Sequence, residues 1–354
     1  MVPGFDSGSS LVRISYTNTT VAGCPAQLSR NLNASPYVDY NTDAAYVADS
    51  GGRLYRITGV FNGTPTLEYC ITVSPGANMT SPLYDQVNNV VYTSDGYYVY
   101  GFTPGATGFT PAGSIQVAST LASDPIVFGT YLDSTDGFVY IFSAADLTNS
   151  ESIVSQIDTS LSSQVTADLG PKATPYLLSG DFDNEYWTQG PMSGAGTLYA
   201  CGTDAGGNGS KPSLYALSFT SPLGLMNSTP VMSDNRNINN SSNSSGSCSP
   251  FLDFYDGTTD RLFIGAGNYS NDTGANQVTE WDVNTRITSN TAKPNATAPG
   301  YWGGSSAFCV DNVSIQPQAA SIYFGTLQKP PSGTTTPCGA GNYCAVKLTQ
   351  NGLQ

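Results

Sequence analysis

The chain has 354 residues, of which 39% are hydrophobic and 11% are charged, and its formal net charge is −14. The charged fraction is less than half of the roughly 25% usual for soluble domains, so the surface is expected to be polar and largely uncharged. The twelve Lys and Arg residues are scattered singly and form no basic stripe, which argues against nucleic acid as a partner. No apolar run approaches the roughly 18 residues that a membrane-spanning helix needs.

A repeated unit runs along most of the chain. In each copy a Pro precedes an apolar strand, and a polar turn, a second strand, an Asp/Gly turn and a third strand follow. The first three copies are SPYVDYNTDAAYVADSGGRLYRITG around Pro36, SPLYDQVNNVVYTSDGYYVYGF around Pro82 and DPIVFGTYLDSTDGFVYIF around Pro125. Pro36 and Pro82 are 46 residues apart, and Pro125 follows after another 43. This spacing is typical of the four-stranded blades of a β-propeller.

Three looser copies follow, beginning with TPYLLSGDFDNEYW, SPFLDFYDGTTDRLFIGAG and SAFCVDN. The sequence therefore predicts an all-β chain with little helix, arranged as one β-propeller domain over residues 1–354 with four-stranded antiparallel blades. Six blades are expected, with five or seven as alternatives. Residues 1–34 are predicted to complete the last blade or to pair with a neighbouring subunit. They lack the basic and apolar regions of a signal peptide, so an export signal is expected upstream.

Two Asp-Gly pairs, Asp95-Gly96 and Asp136-Gly137, fall between predicted strands. Glycine supplies the positive φ that tight hairpins need, so both pairs are predicted to be hairpin tips. The aspartates in these turns are accordingly expected to serve the turn and not to bind a ligand.

N-glycosylation triplets are more than twice as frequent as chance predicts. About five would arise by chance from the Asn, Ser and Thr content, whereas the sequence has thirteen. Three of them cluster in the loop NINNSSNSSGS, where a bulky glycan costs the fold nothing. The predicted acceptors are Asn18, Asn33, Asn62, Asn78, Asn208, Asn227, Asn239, Asn240, Asn243, Asn268, Asn271, Asn295 and Asn312.

The seven cysteines favour disulfides over a metal site, because the chain has no His and no C-x-x-C pair for zinc. Two cysteines flank the Gly-rich turn GAGNY and can close a small loop. A single cysteine remains in the apolar segment SAFCVDN, where we expect it to be buried and inert. The predicted pairs are Cys338 with Cys344, Cys201 with Cys248 and Cys24 with Cys70, which leaves Cys309 unpaired.

Several segments resemble secreted β-propeller proteins of environmental bacteria, acidobacteria among them, that carry quinoprotein-like or NHL-like repeats. The resemblance rests on VADSGGRLYRITGVFNGTP, DSTDGFVYIF, GTLYACGTDAGG, CSPFLDFYDGTTDRLFIG, SIYFGTL and CAVKLTQNGLQ, and it spans most of residues 35–354. It implies a propeller and export from the cell. It implies no activity, because fold analogy does not supply function.

The absence of His excludes Ser-His-Asp, Cys-His and His-metal mechanisms. The tryptophan-docking repeat of quinoprotein dehydrogenases and the S-x-D-x-G-x-x-W boxes of sialidases are also missing. The densest acidic group is Asp181, Asp183 and Glu185, a weak calcium candidate that lacks EF-hand spacing and is more typical of a solvated turn. No catalytic residue and no cofactor are assigned, calcium being the one alternative, and the chain is predicted not to be an enzyme.

Three functions remain as hypotheses. The first is a glycosylated extracellular structural or adhesive protein that assembles with itself into a surface layer or fibre. The second is a carbohydrate-binding propeller, in which sugars stack on the aromatic groups Tyr97, Tyr98 and Tyr100, Tyr186 with Trp187, or Tyr301 with Trp302; the alternative is that these rings fill the space between blades. The third is a glycoside-active or calcium-dependent enzyme that uses the acidic group. All three place the chain outside the cell or on its surface.

Overall fold

A computed structural model describes the protein at residues 21, 23–25, 34–122, 126, 130–172, 179–203, 212–230, 246–268, 277–288, 294–299, 305–311, 321–326, 329 and 342–349. The chain forms two compact units. Unit 1 comprises Met1–Asn149 with Ser155–Val165, and unit 2 comprises Ser150–Val154 with Thr166–Gln354. Nearly all of the N-terminal segment 1–34, whose pairing was predicted, lies outside the described residues.

The first three sheets each have four strands that follow one another along the chain. The first contains β1 (Tyr37–Asp39), β2 (Ala44–Ala48), β3 (Arg53–Thr58) and β4 (Thr66–Thr72). The second contains β5 (Leu83–Asp85), β6 (Val90–Ser94), β7 (Tyr98–Pro104) and β8 (Phe109–Gln116). The third contains β9 (Tyr131–Asp133), β10 (Phe138–Ser143), β11 (Glu151–Asp158) and β12 (Gln164–Pro171).

The last three sheets are less regular. The fourth contains β13 (Gly180–Phe182), β14 (Thr197–Thr203), β15 (Pro212–Thr220) and β16 (Leu225–Met226). In the fifth, β17 (Gly246–Cys248) and β18 (Leu252–Tyr255) both pair with β19 (Asp260–Asn268), which continues to β20 (Gln277–Asp282) and β21 (Ala296–Pro299). The sixth has β22 (Cys309–Asp311), β23 (Ser321–Gly325) and β24 (Ala345–Thr349).

One short α-helix, α1 (Asn184–Gln189), and a 3₁₀ turn at Pro191–Ser193 are the helical elements within the described residues. The helix begins after Asp183, whose carboxylate accepts the backbone N–H of Tyr186 and so satisfies a donor that the first turn leaves free. Gly190 follows the last helical residue with φ 76°, a conformation that disfavours other residues. No described helix is long and apolar enough to cross a membrane.

The short first strands of the first three sheets end in a buried aspartate, Asp39, Asp85 or Asp133. Each carboxylate accepts at least one backbone N–H from the turn that follows; Asp85 Oδ1, for example, accepts those of Val87 at 2.9 Å and Asn88 at 3.2 Å. These contacts satisfy turn donors that would otherwise be buried without a partner. The aspartates therefore fix where each first strand ends and its hairpin begins.

Aromatic and aliphatic side chains form the cores between sheets. In unit 1, Tyr46 of the first sheet packs in one cluster with Val91 and Phe102 of the second. In unit 2, Phe263 of the fifth sheet packs with Ile322 of the sixth. Sheets that bury both faces against neighbours explain why second strands such as Ala44–Ala48 and Val90–Ser94 are buried at every residue.

The fold-class prediction is confirmed at this level: the described chain is all-β, in six antiparallel sheets that mostly have four strands. The predicted hairpin tips are also confirmed, since Gly96 and Gly137 have φ values of 96° and 80°. The disulfides Cys24–Cys70 and Cys201–Cys248 are both present.

The two other described cysteines differ in their bonding state. Cys309 is a free thiol but is exposed, so the prediction that it is buried was wrong. Its neighbour Phe308 fills the core in its place, because alternate residues of a strand point to opposite faces. Cys344 is disulfide-bonded, whereas its predicted partner Cys338 lies outside the described residues.

Candidate functional site

A cleft of about 550 Å³ opens in unit 1 at the first strands of the first three sheets. Ligand-binding pockets typically measure about 300–1,000 Å³ and combine apolar walls with a few polar groups, and this cleft has both the size and the composition. We refer to it as the tyrosine cleft. It is lined by Tyr37, Leu83, Tyr84, Gln86, Val87, Thr130, Tyr131, Leu132 and Ser134.

Corresponding positions of three consecutive repeats build the tyrosine cleft. Tyr37, Leu83 and Tyr131 each start a three-residue first strand and lie two residues before the aspartate that ends it. All three are half-buried. Because the aspartates fix the end of each strand, the side chains before them are held at equivalent places in the three sheets. The cleft is thus a direct product of the repeat.

The tyrosine rings are packed against one another and against the core. Tyr37 meets Tyr84 edge to face, with ring centroids 6.2 Å apart, and Tyr84 packs on the buried Tyr46 at 5.1 Å. The Tyr84 hydroxyl donates to Asn89 Oδ1 at 2.9 Å. Partial burial, together with the charge of Asp39, raises the pKa of both Tyr37 and Tyr84, so both phenols stay neutral at physiological pH. Rings held in this way lose little entropy when a ligand stacks on them.

Polar groups lie along the same cleft. The side-chain amide of Asn41 donates to Gln86 Oε1 at 3.1 Å, and Gln86 Nε2 donates to Asp39 Oδ1 at 3.2 Å, so Gln86 is oriented by two contacts. The buried Thr130 Oγ1 finds no hydrogen-bond partner among the described residues. A buried hydroxyl without a partner costs free energy, and a polar ligand in the cleft can supply that partner.

Exposed rings lie beside the cleft. Tyr40, 77% exposed, follows Asp39 directly and stacks on Phe61, 48% exposed, with centroids 4.7 Å apart and planes inclined by 15°. The Asp43 carboxylate accepts the backbone N–H groups of Phe61 and Asn62 and fixes the loop that carries the second ring. The turn that contains Tyr40 also contains Asn41, which contacts Gln86 in the cleft. We name Tyr40 and Phe61 the rim pair.

The chemistry of the cleft suits binding better than proton transfer. Asp39 and Asp85, beside the cleft, accept hydrogen bonds from turn N–H groups and from the Gln86 or Asn88 amides. These carboxylates are therefore engaged by donors of the protein itself. What the cleft offers a ligand is ring surface, an amide and hydroxyl groups.

The three residues of the predicted acidic group, Asp181, Asp183 and Glu185, do not lie together in the structure. Asp181 and Asp183 lie with two aspartates that sequence reasoning missed, Asp253 of β18 and Asp260 of β19. Glu185 is exposed on α1 and accepts a hydrogen bond from Gln189. Within the described residues, no group of three or more Asp, Glu, Cys or His side chains is arranged to hold a metal ion. Calcium binding by the predicted group therefore has no geometric support.

The aromatic residues singled out in the sequence also separate into two kinds. Tyr97, Tyr98 and Tyr100 are half-buried, and their hydroxyls donate to Ala122 O, Gln116 Oε1 and Asp95 Oδ2, so they consolidate the second sheet. The last two of the set, Tyr301 and Trp302, lie outside the described residues.

The remaining aromatic pair is split between core and surface. Tyr186 is buried, whereas Trp187 is 56% exposed and rests on Phe182 and Tyr186 at centroid distances of 5.4 and 5.0 Å. Trp187 is therefore a second rigid exposed ring, in unit 2, and it has no described cleft beside it.

Four predicted glycan acceptors have described side chains. Asn62, Asn78 and Asn295 are exposed, as an occupied acceptor requires, and the half-buried Asn227 accepts the N–H of Thr229 through Oδ1 at 3.0 Å. The side chains of the other nine lie outside the described residues. Occupancy of the acceptors stays a prediction.

No protein-family model and no curated protein matches this sequence. Solved structures do match. A protein from Lactobacillus plantarum has a TM-score of 0.51 at 13% identity and covers 84% of this chain and 79% of its own. The WD40 β-propeller domain of Doa1 has a TM-score of 0.41 at 10% identity, covering 82% and 78%, and a luciferin-regenerating enzyme has 0.45 at 9%, covering 90% and 91%.

A WD40 β-propeller domain is thus among the structures that the chain is similar to, and the predicted all-β class with four-stranded antiparallel sheets is confirmed by the sheets themselves. The resemblance to secreted bacterial proteins is supported for the propeller alone, since no family model matches. The prediction that the chain is not an enzyme does not stand. The absence of His on which it rested removes particular mechanisms and not catalysis as a class, and an enzyme is among the solved structures reported above.

Proposed function

We propose that this protein is an extracellular propeller glycoprotein that binds neutral carbohydrate through the tyrosine cleft and so serves as an adhesive module. The observation that carries the proposal is the cleft of about 550 Å³ that Tyr37, Tyr84 and Tyr131 line together with Gln86, Thr130 and Ser134. Sugar rings present apolar C–H faces and a perimeter of hydroxyl groups. The cleft offers matching ring faces and hydrogen-bonding groups.

The rim pair extends the surface on which a sugar chain can stack. Tyr40 and Phe61 expose ring area that two parallel side chains keep in place. A flat aromatic surface next to a cleft favours an oligosaccharide over a single sugar, because one unit can occupy the cleft while the next stacks outside it. Each aromatic contact of this kind contributes about 0.5–1.5 kcal/mol.

Charge favours a neutral glycan. The chain carries a formal net charge of −14, and no Lys or Arg is among the described residues that line the cleft. The field of the whole protein therefore repels polyanions such as polyuronates. Neutral hexose or pentose polymers meet no such barrier.

Two observations support an extracellular setting. The disulfide Cys201–Cys248 is buried and Cys24–Cys70 is also formed, and disulfides persist in oxidising compartments. Three glycan acceptors are exposed. Self-assembly into a surface layer or fibre stays a prediction, since no described contact bears on it.

Calorimetric titration of the chain with cellohexaose, maltohexaose and hexagalacturonate tests the proposal. We expect binding of a neutral hexasaccharide and none of the acidic one. Tyr37→Ala is expected to weaken that binding about 3–10-fold, the loss of one aromatic contact. Tyr255→Ala is the matched control, because Tyr255 is 42% exposed in unit 2 and its hydroxyl bonds only to the nearby Gly257 O among the described contacts.

The control variant should bind as tightly as the unchanged chain. If neither neutral hexasaccharide binds, the result would count against the proposed function. An equal loss of affinity in Tyr37→Ala and Tyr255→Ala would also count against it. Thermal melting of each variant separates a loss of binding from a loss of fold.

A further inference from the structure

Two carboxylates connect the fourth and fifth sheets within unit 2 through hydrogen bonds that run in opposite directions. We call these two contacts the clasp. Asp181 of β13 accepts the backbone N–H of Asp253 on β18 through Oδ2 at 2.9 Å. In the opposite direction, Asp260 of β19 accepts the backbone N–H of Asn184, the first residue of α1, through Oδ2 at 2.9 Å. Each sheet thus supplies a carboxylate to the backbone of the other.

A pair of unsatisfied oxygens lies within this clasp. Asp253 Oδ2 and Asp260 Oδ1 are both buried, and neither accepts a hydrogen bond from any described residue. Asp253 lies opposite Leu262 and Asp260 lies opposite Tyr255 in the register of β18 with β19, so the two aspartates are diagonal neighbours on one face of this strand pair. Asp260 is only 5% exposed. Two ionised carboxylates cannot occupy such a place without a cation or a proton between them.

Among the described residues, the elements that pack against β18 supply no free cation. The titratable or charged groups there are Asp181 on β13, Asp183 and Glu185 at α1, and Asp260 and Arg261 on β19. Arg261 is engaged by Asp256 and Glu280.

A metal ion fits no better. Both oxygens of Asp181 and one of Asp183 already accept backbone N–H groups, and no described group of three acidic side chains is arranged as metal ligands. Calcium takes six to eight oxygens. A proton is the remaining counter-charge.

We propose that Asp253 Oδ2 carries a proton and donates it in a hydrogen bond to Asp260 Oδ1, and that this proton makes the clasp between the fourth and fifth sheets a pH-sensitive latch. The hydrogen bond satisfies both oxygens. Loss of the proton leaves two negative charges side by side, next to Asp181. The latch then loosens and frees the N–H of Asn184 at the start of α1, the helix that carries the exposed Trp187.

The way in which stability depends on pH follows from the raised pKa values of Asp253 and Asp181. Burial, with the charges of Asp260 and Asp181, raises the pKa of Asp253 to about 10, and burial raises the pKa of Asp181 to about 6. In the unfolded chain, Asp253 and Asp181 each lose their proton near pH 4, the ordinary value for an aspartate. The folded state binds more protons above that pH, so the stability of unit 2 falls as the pH rises from about 4 towards 10.

Asp253→Asn tests the latch, because the amide keeps the shape and donates to Asp260 without a charge. We expect the variant to melt about 2–4 °C higher than the unchanged chain at pH 8 and at the same temperature at pH 4. Asp282→Asn is the matched control for net charge, since Asp282 is exposed in unit 2 and the amide oxygen can still accept the N–H of Asn284. The control should melt with the unchanged chain at both pH values.

Infrared difference spectra give a second measurement that does not depend on stability. The unchanged chain should show the C=O band of a buried protonated carboxyl at pH 7, and Asp253→Asn should lack it. Absence of the band, or a lower melting temperature of Asp253→Asn at pH 8, would overturn the proposal. A rise in the melting temperature of the unchanged chain with added CaCl₂, absent in the variant, would instead assign the pair to a metal and overturn it equally. None of these results depends on carbohydrate binding.

Discussion

Replacing both Cys201 and Cys248 with alanine is expected to lower the free energy of unfolding of unit 2 by about 4 kcal/mol, within a usual range of about 2–5. The disulfide joins β14 of the fourth sheet to β17 of the fifth across a sequence separation of 47 residues. Without it the unfolded chain gains the entropy of an open loop of that length. Both cysteines are almost fully buried, so their removal also leaves unfilled space in the core.

Guanidinium unfolding followed by tryptophan fluorescence measures this loss, since the buried Trp281 of β20 reports on unit 2. Cys309→Ser is the matched control, because it removes a cysteine that is exposed and unpaired. The control should unfold at the same denaturant concentration as the unchanged chain. If the double alanine variant did so as well, the link between the fourth and fifth sheets would contribute nothing to stability.

Gly52→Ala is expected to destabilise unit 1 by about 2–4 kcal/mol, through backbone strain and overpacking together. Gly52 has φ 77°, and a Cβ atom there would lie 1.6 Å from the carbonyl oxygen of Ser74. The close approach is built into the sheet, since Gly52 O accepts the N–H groups of Val73 at 2.8 Å and Ser74 at 3.1 Å. An alanine forces the turn before β3 away from the end of β4.

Gly76→Ala is the control that separates strain from crowding. Gly76 has φ 79°, almost the same as Gly52, but a Cβ atom there would meet nothing within 4 Å. This variant should lose only the cost of the left-handed conformation, about 1 kcal/mol. Paired thermal melts followed by circular dichroism measure the difference. Equal losses in the two variants would show that the contact between Gly52 and Ser74 is not part of the folded protein.

Much of the fold could be predicted from the sequence because it is built from a repeated unit. Turn chemistry and hydrophobic pattern agree in the early copies, so the positions of β1 and β5 and the Asp-Gly tips at Gly96 and Gly137 followed from local rules. In the third copy β9 begins at Tyr131, six residues after the Pro125 that was expected to precede it. The disulfides Cys24–Cys70 and Cys201–Cys248 were also predicted correctly. In the fifth sheet, by contrast, β17 and β18 both pair with β19, and nothing in the local pattern specifies two partners on one edge.

The tyrosine cleft was missed although its residues stand in the repeats. The aligned segments SPYVD, SPLYD and GTYLD place Tyr37, Leu83 and Tyr131 at one position, and reading the copies against one another would have identified it. The aromatic residues proposed from the sequence include chain neighbours such as Tyr97 and Tyr98, whose hydroxyls donate to Ala122 O and Gln116 Oε1. Neighbours in a strand point to opposite faces, so a binding surface gathers equivalent residues of different strands.

The acidic latch could not be found in the same way. Asp181 and Asp183 are conspicuous in SGDFDNE, but their partners Asp253 and Asp260 lie about 70 residues further along the chain. Only the pairing of β18 with β19 and the contact of β13 with β18 bring the four carboxyls together. Glu185 was included because of its position in sequence, and the first turn of α1 directs it to solvent.

NMR of ring-¹³C-labelled tyrosine can locate carbohydrate in the tyrosine cleft. The labelled chain is titrated with the neutral hexasaccharide that binds in calorimetry. We expect progressive shifts of the ring signals of Tyr37, Tyr84 and Tyr131, with Tyr255 and Tyr323 unchanged. Shifts confined to tyrosines outside the cleft, with Tyr37 and Tyr131 unaffected at saturation, would contradict it.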